Sequence, residues 1–190
     1  MGVLGHSSRM DFLLTEDQRL FSDSVQGFAE RYLAEGALAR AHAGTFPWDI
    51  AKLMAEHGLL GITIAEADGG QGGDLMDAII ATERIASVCP RSADVLQFGS
   101  FGPIRVLAEY GSEEQKSRIL ARLLAGEALI AVAMTEPDAG SAVTDLRTTA
   151  TPDGEGFRIN GSKVFTSHGP EADYFLVYVR FGPGVGGIGS

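Results

Sequence analysis

The residues whose types and spacing could do chemistry lie first in the stretch from Ile130 to Ser141, I-A-V-A-M-T-E-P-D-A-G-S. The stretch begins as an apolar run, which is typical of a buried strand, and it ends in residues that cannot continue one. We therefore predict a strand followed by a polar loop. In this loop, Pro137 and Gly140 favour a turn where the backbone can come close to a ligand. Donors fixed in such a loop can stabilise negative charge that develops on a bound group.

A second candidate stretch lies near Asn160 to Gly169 and contains Phe165 and Ser167. An aromatic face packed on a planar ligand excludes water and fixes the plane of that ligand. The dipeptide Asn160-Gly161 predicts a hairpin turn at the start of this stretch. The two stretches together are our candidate site.

The chain before Ile130 is almost entirely helical in pattern. We therefore expect helices to position the two stretches. Thr15 and Gln18 have the spacing of a capping box, and an apolar stripe behind them predicts a helix over residues 15–35. Pro47 opens a second predicted helix, which Gly58 closes. We interpret His57, at the end of that helix, as a structural residue rather than a ligand.

Three further helical segments are predicted before the junction. Residues 75–88 form one that Pro90 ends, and residues 92–110 form another that is kinked or broken near Gly99, Gly102 and Pro103. Ser112 opens a capping box for the last, which ends near Gly126.

The glycine-rich segment D-G-G-Q-G-G-D, residues 68–74, resembles a phosphate-binding loop in composition. Such a loop in a dinucleotide fold should follow a strand and open a helix with G-x-G-x-x-G spacing, and that context is missing. We interpret the segment as a connection whose Asp74 caps the next helix.

After Leu129 the pattern changes to short strands. Residues 147–151, 156–166 and 173–181 are rich in β-branched and aromatic residues, and Pro152-Asp-Gly154 predicts a turn between the first two. We expect antiparallel strands. Residues 174–179 are apolar at nearly every position, which predicts that both faces are covered, and the glycine-rich tail after Phe181 offers no strand partner. Either the tail is a flexible end, or the chain stops in the middle of a β-domain. We favour the second explanation.

The composition excludes several classes of function. The 190 residues are 45% hydrophobic and carry a formal net charge of −10, which argues against a nucleic-acid surface. The single cysteine, Cys89, excludes a disulfide framework, cannot by itself make a cysteine-rich metal site, and is expected to be buried in a cytoplasmic protein. No apolar run is long enough for a membrane span, and residues 1–9 lack the features of a secretory signal. No metal site is predicted.

Three motifs resemble those of the acyl-CoA dehydrogenase family. They are M-D-F-L-L-T-E-D-Q from Met10, M-T-E-P-D-A-G-S from Met134 and I-N-G-S-K-V-F from Ile159, and the similarity runs from about Met10 to Phe181. The resemblance implies an α+β fold: an N-terminal all-α helical domain followed by an incomplete antiparallel β-barrel domain. We expect an extension over residues 1–10, the helical domain over 11–128 and the start of a middle β-barrel over 129–190, with the family's C-terminal helical domain absent.

The same resemblance implies FAD as cofactor. It places Val132, Met134, Thr135, Phe165 and Ser167 in the flavin-binding site. It also implies that Ser141 contacts the pantetheine-phosphate arm of an acyl thioester such as acyl-CoA. Glu136 has the residue type of a general base, but its family counterpart is structural, so we assign it no chemistry.

Two residues depart from the family pattern. Ala142 stands where the family usually has aspartate, which removes a carboxylate that could order the loop or hold substrate. His168 replaces a common asparagine, and we expect it to face solvent in a turn rather than to tune the flavin.

The activity implied by the resemblance is α,β-dehydrogenation of an acyl thioester, with the base in the absent C-terminal domain. We therefore expect a fragment or one half of a split enzyme that is inactive alone, binds FAD weakly and forms a homo-oligomer or joins a complementing subunit. Two alternatives stay open: another flavin enzyme of the superfamily, such as an oxidase, a monooxygenase or a carrier-protein dehydrogenase, and a non-catalytic module that pairs with a full-length homologue.

Overall fold

The computed structural model describes residues 13–190. The predicted extension over residues 1–10 lies outside the described residues. A helical region precedes a partial sheet, and no closed barrel is present among residues 13–190, which confirms the predicted fold class.

The helical region runs from Glu16 to Leu124. It contains α1 (Glu16–Tyr32), α2 (Ala37–Ala41), α3 (Trp48–Glu56), α4 (Leu75–Val88), α5 (Pro90–Ser100), α6 (Pro103–Tyr110), α7 (Glu113–Gln115) and α8 (Ala121–Leu124), with a π-helical turn, Lys116–Leu120, between the last two.

Capping boxes set the starts of three of these helices. Thr15 and Gln18 form the predicted one at α1, and Ser112 opens α7 through a second. Asp74 caps α4 and exchanges hydrogen bonds with Asp77, so the glycine-rich segment does lead into an Asp74-capped helix. These bonds satisfy main-chain donors that the first turn of a helix leaves unpaired.

Prolines set two helix boundaries. Cys89 adopts an extended backbone because Pro90 follows it, and α4 therefore ends at Val88 while Pro90 begins α5. The predicted break in residues 92–110 lies at Phe101 and Gly102, after which Pro103 begins α6. The start of α5 lies two residues before the predicted one, and α1 ends at Tyr32 rather than at residue 35.

Two apolar clusters hold the fold together. The larger packs α1, α3, α4 and α5, with Leu33, Met54, Ile85 and Leu96 wholly buried at its centre. The smaller joins the end of the helical region to the first strand; its buried members are Ile64, Ile104, Ala108, Leu120, Leu123, Ala128 and Ile130. Burying this much apolar surface is the main favourable term that fixes the strand on the helices.

The strands form two small sheets. They are β1 (Ile130–Ala133), β2 (Thr149–Asp153), β3 (Gly156–Asn160), β4 (Tyr174–Val177), β5 (Val179–Arg180) and β6 (Ile188–Gly189). One sheet pairs β1 with β4, and the other has the order β3-β2-β5-β6. The hairpin between β2 and β3 turns at Gly154, as the Pro152-Asp-Gly154 sequence predicts.

The pairing is mixed, whereas the strands were expected to be antiparallel throughout. β2 with β3 and β5 with β6 are antiparallel, but β1 with β4 and β2 with β5 are parallel. The reason is the long connection between β1 and β4, which contains the whole β2–β3 hairpin and returns the chain in the same direction.

Three details of the strand prediction were wrong. The tail has a strand partner, because β6 pairs with β5. The strand β4 is not covered on both faces among residues 13–190, since Phe175 is 47% exposed. Asn160-Gly161 is not a hairpin turn: Asn160 ends β3, and Gly161 lies so close to Thr148 that any side chain there would overlap it.

Candidate functional site

The first candidate stretch turns sharply directly after β1. Glu136 and Ala139 exchange main-chain hydrogen bonds, with N···O distances of 3.0 and 3.2 Å, around Pro137 and Asp138. The turn is the one that the proline and glycine of this segment favour. It holds Met134 and Thr135, both half-buried, at the end of the strand.

The second stretch is bonded directly to the first. The N–H of Val164 donates to the carbonyl of Thr135 at 2.9 Å, and the ammonium of Lys163 donates to the carbonyl of Met134 at 2.9 Å. Thr135 and Phe165 therefore lie side by side at the end of β1. The two stretches that the sequence singles out are therefore in direct contact.

A buried ion pair fixes this arrangement. The Lys163 ammonium lies 2.8 Å from Oε1 of Glu136, and both side chains are at most a tenth exposed. The Glu136 carboxylate also accepts the N–H of Arg147 at 2.6 Å and that of Thr148 at 2.9 Å. Such charge-assisted bonds compensate for the loss of water around a buried carboxylate.

The electrostatics of Glu136 exclude it as a base. Burial by itself would raise its pKa, but hydrogen bonds from Lys163, Thr148 and Arg147 outweigh burial and lower the pKa from 4.5 to about 2. A carboxylate held ionised by three partners has little affinity for a substrate proton. Its role is structural, as the sequence analysis anticipates.

Phe165 extends into solvent from a left-handed backbone. Its φ is +57°, and 91% of the side chain is exposed. A bulky residue is rare in this conformation, and leaving a phenyl ring in water forfeits the free energy of its burial. The exposed ring face is accessible for stacking on a planar group. Ser167, two residues later, is also exposed.

The remaining predicted site residues are spread along the first stretch. Val132 is half-buried in β1, where it pairs with Leu176 of β4. Ser141 is exposed at the far side of the Glu136–Ala139 turn, beside the exposed Ala142. Ser141 thus has access to solvent but does not lie in the segment that Lys163 holds.

His168 does not face solvent, which corrects the expectation for this residue. Its side chain is only 12% exposed and lies between the rings of Phe46 and Phe98, with centroid distances of 5.2 and 5.1 Å. Long-range packing against the helical region determines this position, and no local sequence pattern reports it.

Other residues considered in the sequence analysis are structural. The N–H groups of residues 69–73 all donate to main-chain carbonyls between Gly61 and Glu66, which leaves none to bind a phosphate. Cys89 is buried and accepts a hydrogen bond from the Ser92 hydroxyl. His57 packs on Phe28 and Tyr32 and hydrogen-bonds the carbonyl of Leu53.

Sequence reasoning missed the residue that joins the two stretches. Lys163 lies inside the motif I-N-G-S-K-V-F, yet no role was assigned to it. A lysine two residues before the exposed aromatic, together with an acidic residue on the polar loop, was the available signal of an ion pair. Arg91, which contacts His168, had no such signal.

Residues 13–190 contain no group of three or more His, Cys, Asp or Glu side chains arranged to hold a metal ion. Over the same residues, every helix is too short or too polar to cross a membrane.

Comparison with known families gives two adjacent matches. Residues 15–127 match the N-terminal domain of acyl-CoA dehydrogenases, and residues 131–188 match the middle domain of the same enzymes.

Individual proteins agree with this. The short-chain specific acyl-CoA dehydrogenase of Clostridium acetobutylicum is 36% identical over 169 residues, which is 89% of this chain and 45% of that protein. The acryloyl-CoA reductase (NADH) of Anaerotignum propionicum is 36% identical over 177 residues, 92% of this chain and 45% of that protein. The chain therefore spans about half the length of these curated relatives.

A solved structure, the FAD complex of PigA, superimposes with a TM-score of 0.85 at 28% sequence identity. The superposition covers 94% of this chain and 48% of that one.

We predict that Lys163→Met destabilises the fold by about 3–5 kcal/mol, because it leaves the Glu136 carboxylate buried without its cation. The control is Arg158→Met, which breaks an ion pair of similar length with Asp153 on the exposed hairpin and should cost about 0–1 kcal/mol. Urea denaturation at neutral pH measures both changes. Equal losses for the two variants would contradict the structural role of Lys163.

We also predict an acid-sensitive contribution from Glu136. Its pKa is depressed in the folded state, so its stabilisation is complete above the ordinary value of 4.5 and is lost as the pH falls from there towards 2. The free-energy difference between the wild type and Glu136→Gln should therefore shrink by roughly 3 kcal/mol across that window.

Denaturation curves collected between pH 2.5 and 7 test this, with Asp153→Asn as the control for an exposed carboxylate. A difference between the wild type and Glu136→Gln that stays constant down to pH 2.5 would rule out the linkage.

Proposed function

Because the chain belongs to the acyl-CoA dehydrogenase family, we propose that the end of β1 and the Phe165 segment form one wall of an FAD site in an acyl-thioester dehydrogenase. The observation that carries the proposal is the bonded contact of the two stretches: Val164 to Thr135 and Lys163 to Met134, with Phe165 exposed beside them.

The residues present suit a flavin ring. The N–H groups of Met134 and Thr135 and the Thr135 hydroxyl offer polar contacts for the ring edge, since the carbonyls of both residues are already bonded to Lys163 and Val164. The half-buried side chain of Val132 lies in the strand behind them. The exposed face of Phe165 offers a surface for stacking, and the Ser167 hydroxyl is a further donor. Within residues 13–190, no side-chain hydrogen bond involves the hydroxyls of Thr135 or Ser167, so both are available to a ligand.

When bound, FAD would supply the hydride acceptor for α,β-dehydrogenation of the thioester. The chain's own residues hold that site rigid and shield it. Phe165 excludes water from one face, while the ion pair of Glu136 and Lys163 keeps the two stretches in fixed register. Ser141 is assigned to the pantetheine-phosphate arm, and Ala142 contributes no carboxylate there.

We assign the base that removes the α-proton to a residue outside both stretches. Glu136 is the buried carboxylate at the site, and its three partners keep it ionised and inaccessible. We therefore propose that these 190 residues alone do not complete a turnover.

A second candidate is the reverse chemistry, reduction of an α,β-unsaturated acyl thioester. The identity of 36% to an acryloyl-CoA reductase favours it. The same FAD-binding residues would serve dehydrogenation and reduction. The preferred direction therefore depends on which thioester and which electron carrier react with the complete site.

Other expectations from the sequence stay predictions. They are the division into residues 1–10, 11–128 and 129–190, association into a homo-oligomer or with a complementing subunit, and a cytoplasmic location.

We predict that the purified chain quenches FAD fluorescence in a saturable manner and that Phe165→Ala weakens this binding by about tenfold, the effect of losing one stacked aromatic. Stability should hardly change, because Phe165 is 91% exposed. Phe157→Ala, which removes another exposed phenylalanine on the β2–β3 hairpin, is the control. Quenching that does not saturate, or an equal weakening of FAD binding by both variants, would contradict the proposal that the end of β1 and the Phe165 segment bind FAD.

The chain loaded with FAD should not be bleached by butyryl-CoA under anaerobic conditions, because no free carboxylate is assigned to the α-proton. Stopped-flow absorbance of the flavin measures this. Rapid bleaching by substrate would mean that these residues contain a complete catalytic site.

A further inference from the structure

We propose that His168 is a positioning residue that fastens the Phe165–Ser167 segment to the helical region. The inference rests on the proposed function, since it assigns His168 to holding the flavin wall in place.

The imidazole is enclosed by two aromatic rings from different elements. Phe46 precedes α3 and Phe98 belongs to α5, and each meets the His168 ring edge to face, at interplanar angles of 78° and 79°. Edge-to-face pairs of this kind are favourable beyond the apolar area that they bury. The ring therefore anchors the segment in the larger apolar cluster, of which Phe46 and Phe98 are part.

Polar contacts fix the orientation of the ring. Nη1 of Arg91 lies 3.4 Å from Nε2 of His168, and a guanidinium can only donate, so Nε2 accepts. The other ring nitrogen, Nδ1, lies 3.7 Å from Oε2 of Glu171. Arg91 is itself held by Asp94 and by the carbonyl of Thr45.

The backbone makes this anchor necessary. Phe165 and His168 both have left-handed backbones, with φ of +57° and +56°, a conformation that costs free energy for residues other than glycine. Phe165 is exposed and contributes no packing that could offset the cost. The buried side chain of His168, three residues along the chain, supplies it, and the carbonyl of His168 accepts the N–H groups of Glu171 and Ala172.

The test is His168→Asn in the full 190-residue chain, followed by amide hydrogen exchange. Asparagine tolerates the left-handed backbone, so this variant removes the ring without adding strain. We expect exchange across residues 164–172 to accelerate by about tenfold or more while α1 and α4 stay unchanged. His42→Asn is the matched control, because His42 is exposed and its loss should alter nothing.

Two outcomes overturn the proposal: unchanged exchange over residues 164–172, or an equal acceleration along the whole chain, which would show a role in global stability alone. If His168→Asn does not fold, Phe98→Leu serves as the second variant. It removes one of the two aromatic rings that contact His168 and keeps an apolar side chain in its place. The same local acceleration is expected there, and its absence also overturns the proposal.

A titration with FAD separates this proposal from the proposed function. If the wild type binds FAD, His168→Asn should raise the dissociation constant by about tenfold while lowering the unfolding temperature much less than the decrease predicted for Lys163→Met. An unchanged constant overturns the positioning role. A wild type that does not bind FAD counts against the proposed function only, and hydrogen exchange still decides whether His168 fastens the segment.

Discussion

The ion pair between Glu136 and Lys163 is the interaction on which the candidate site depends. Two segments that are distant in sequence meet at the end of β1, and the pair joins them at a point where neither has regular secondary structure to fix it. Burying two charges is costly unless each finds several partners. Glu136 satisfies this condition with three donors, and Lys163 does so with a carboxylate and the carbonyl of Met134. At this point the two segments are therefore joined by polar bonds, and Phe165 beside them is left exposed.

Two different kinds of interaction hold the Phe165 segment. On one side it is bonded to the strand through Val164 and Lys163, and on the other it is packed into the helical region through His168. The helical region thus contributes to the position of the Phe165 segment. The contacts come from Phe46, Phe98 and Arg91, which are more than 60 residues away from it in sequence. This arrangement makes the site a property of both matched domains together.

The local features of this fold could be read from the sequence, and the long-range ones could not. Helix starts can be predicted at Thr15, Asp74 and Ser112, because the two residues of a capping box lie within four consecutive positions. The exposed Phe165 was identified through a family motif. The parallel pairing of β1 with β4, the strand partner of the tail and the burial of His168 all depend on residues distant in sequence, so no local period or turn signal encodes them. The same reason explains why Lys163 was quoted in a motif without receiving a role.

The parallel pairing of β1 with β4 has a consequence for the order in which the molecule is assembled. Leu129 and Asp173, which hydrogen-bond at the start of that pair, are 44 residues apart, whereas the helices and the β2–β3 hairpin close over short spans. Because distant contacts form only after the entropy of closing a long loop has been overcome, we expect the individual helices and the β2–β3 hairpin to form before β1 pairs with β4. The candidate site at the end of β1 then forms after the separate helices and the hairpin that surround it.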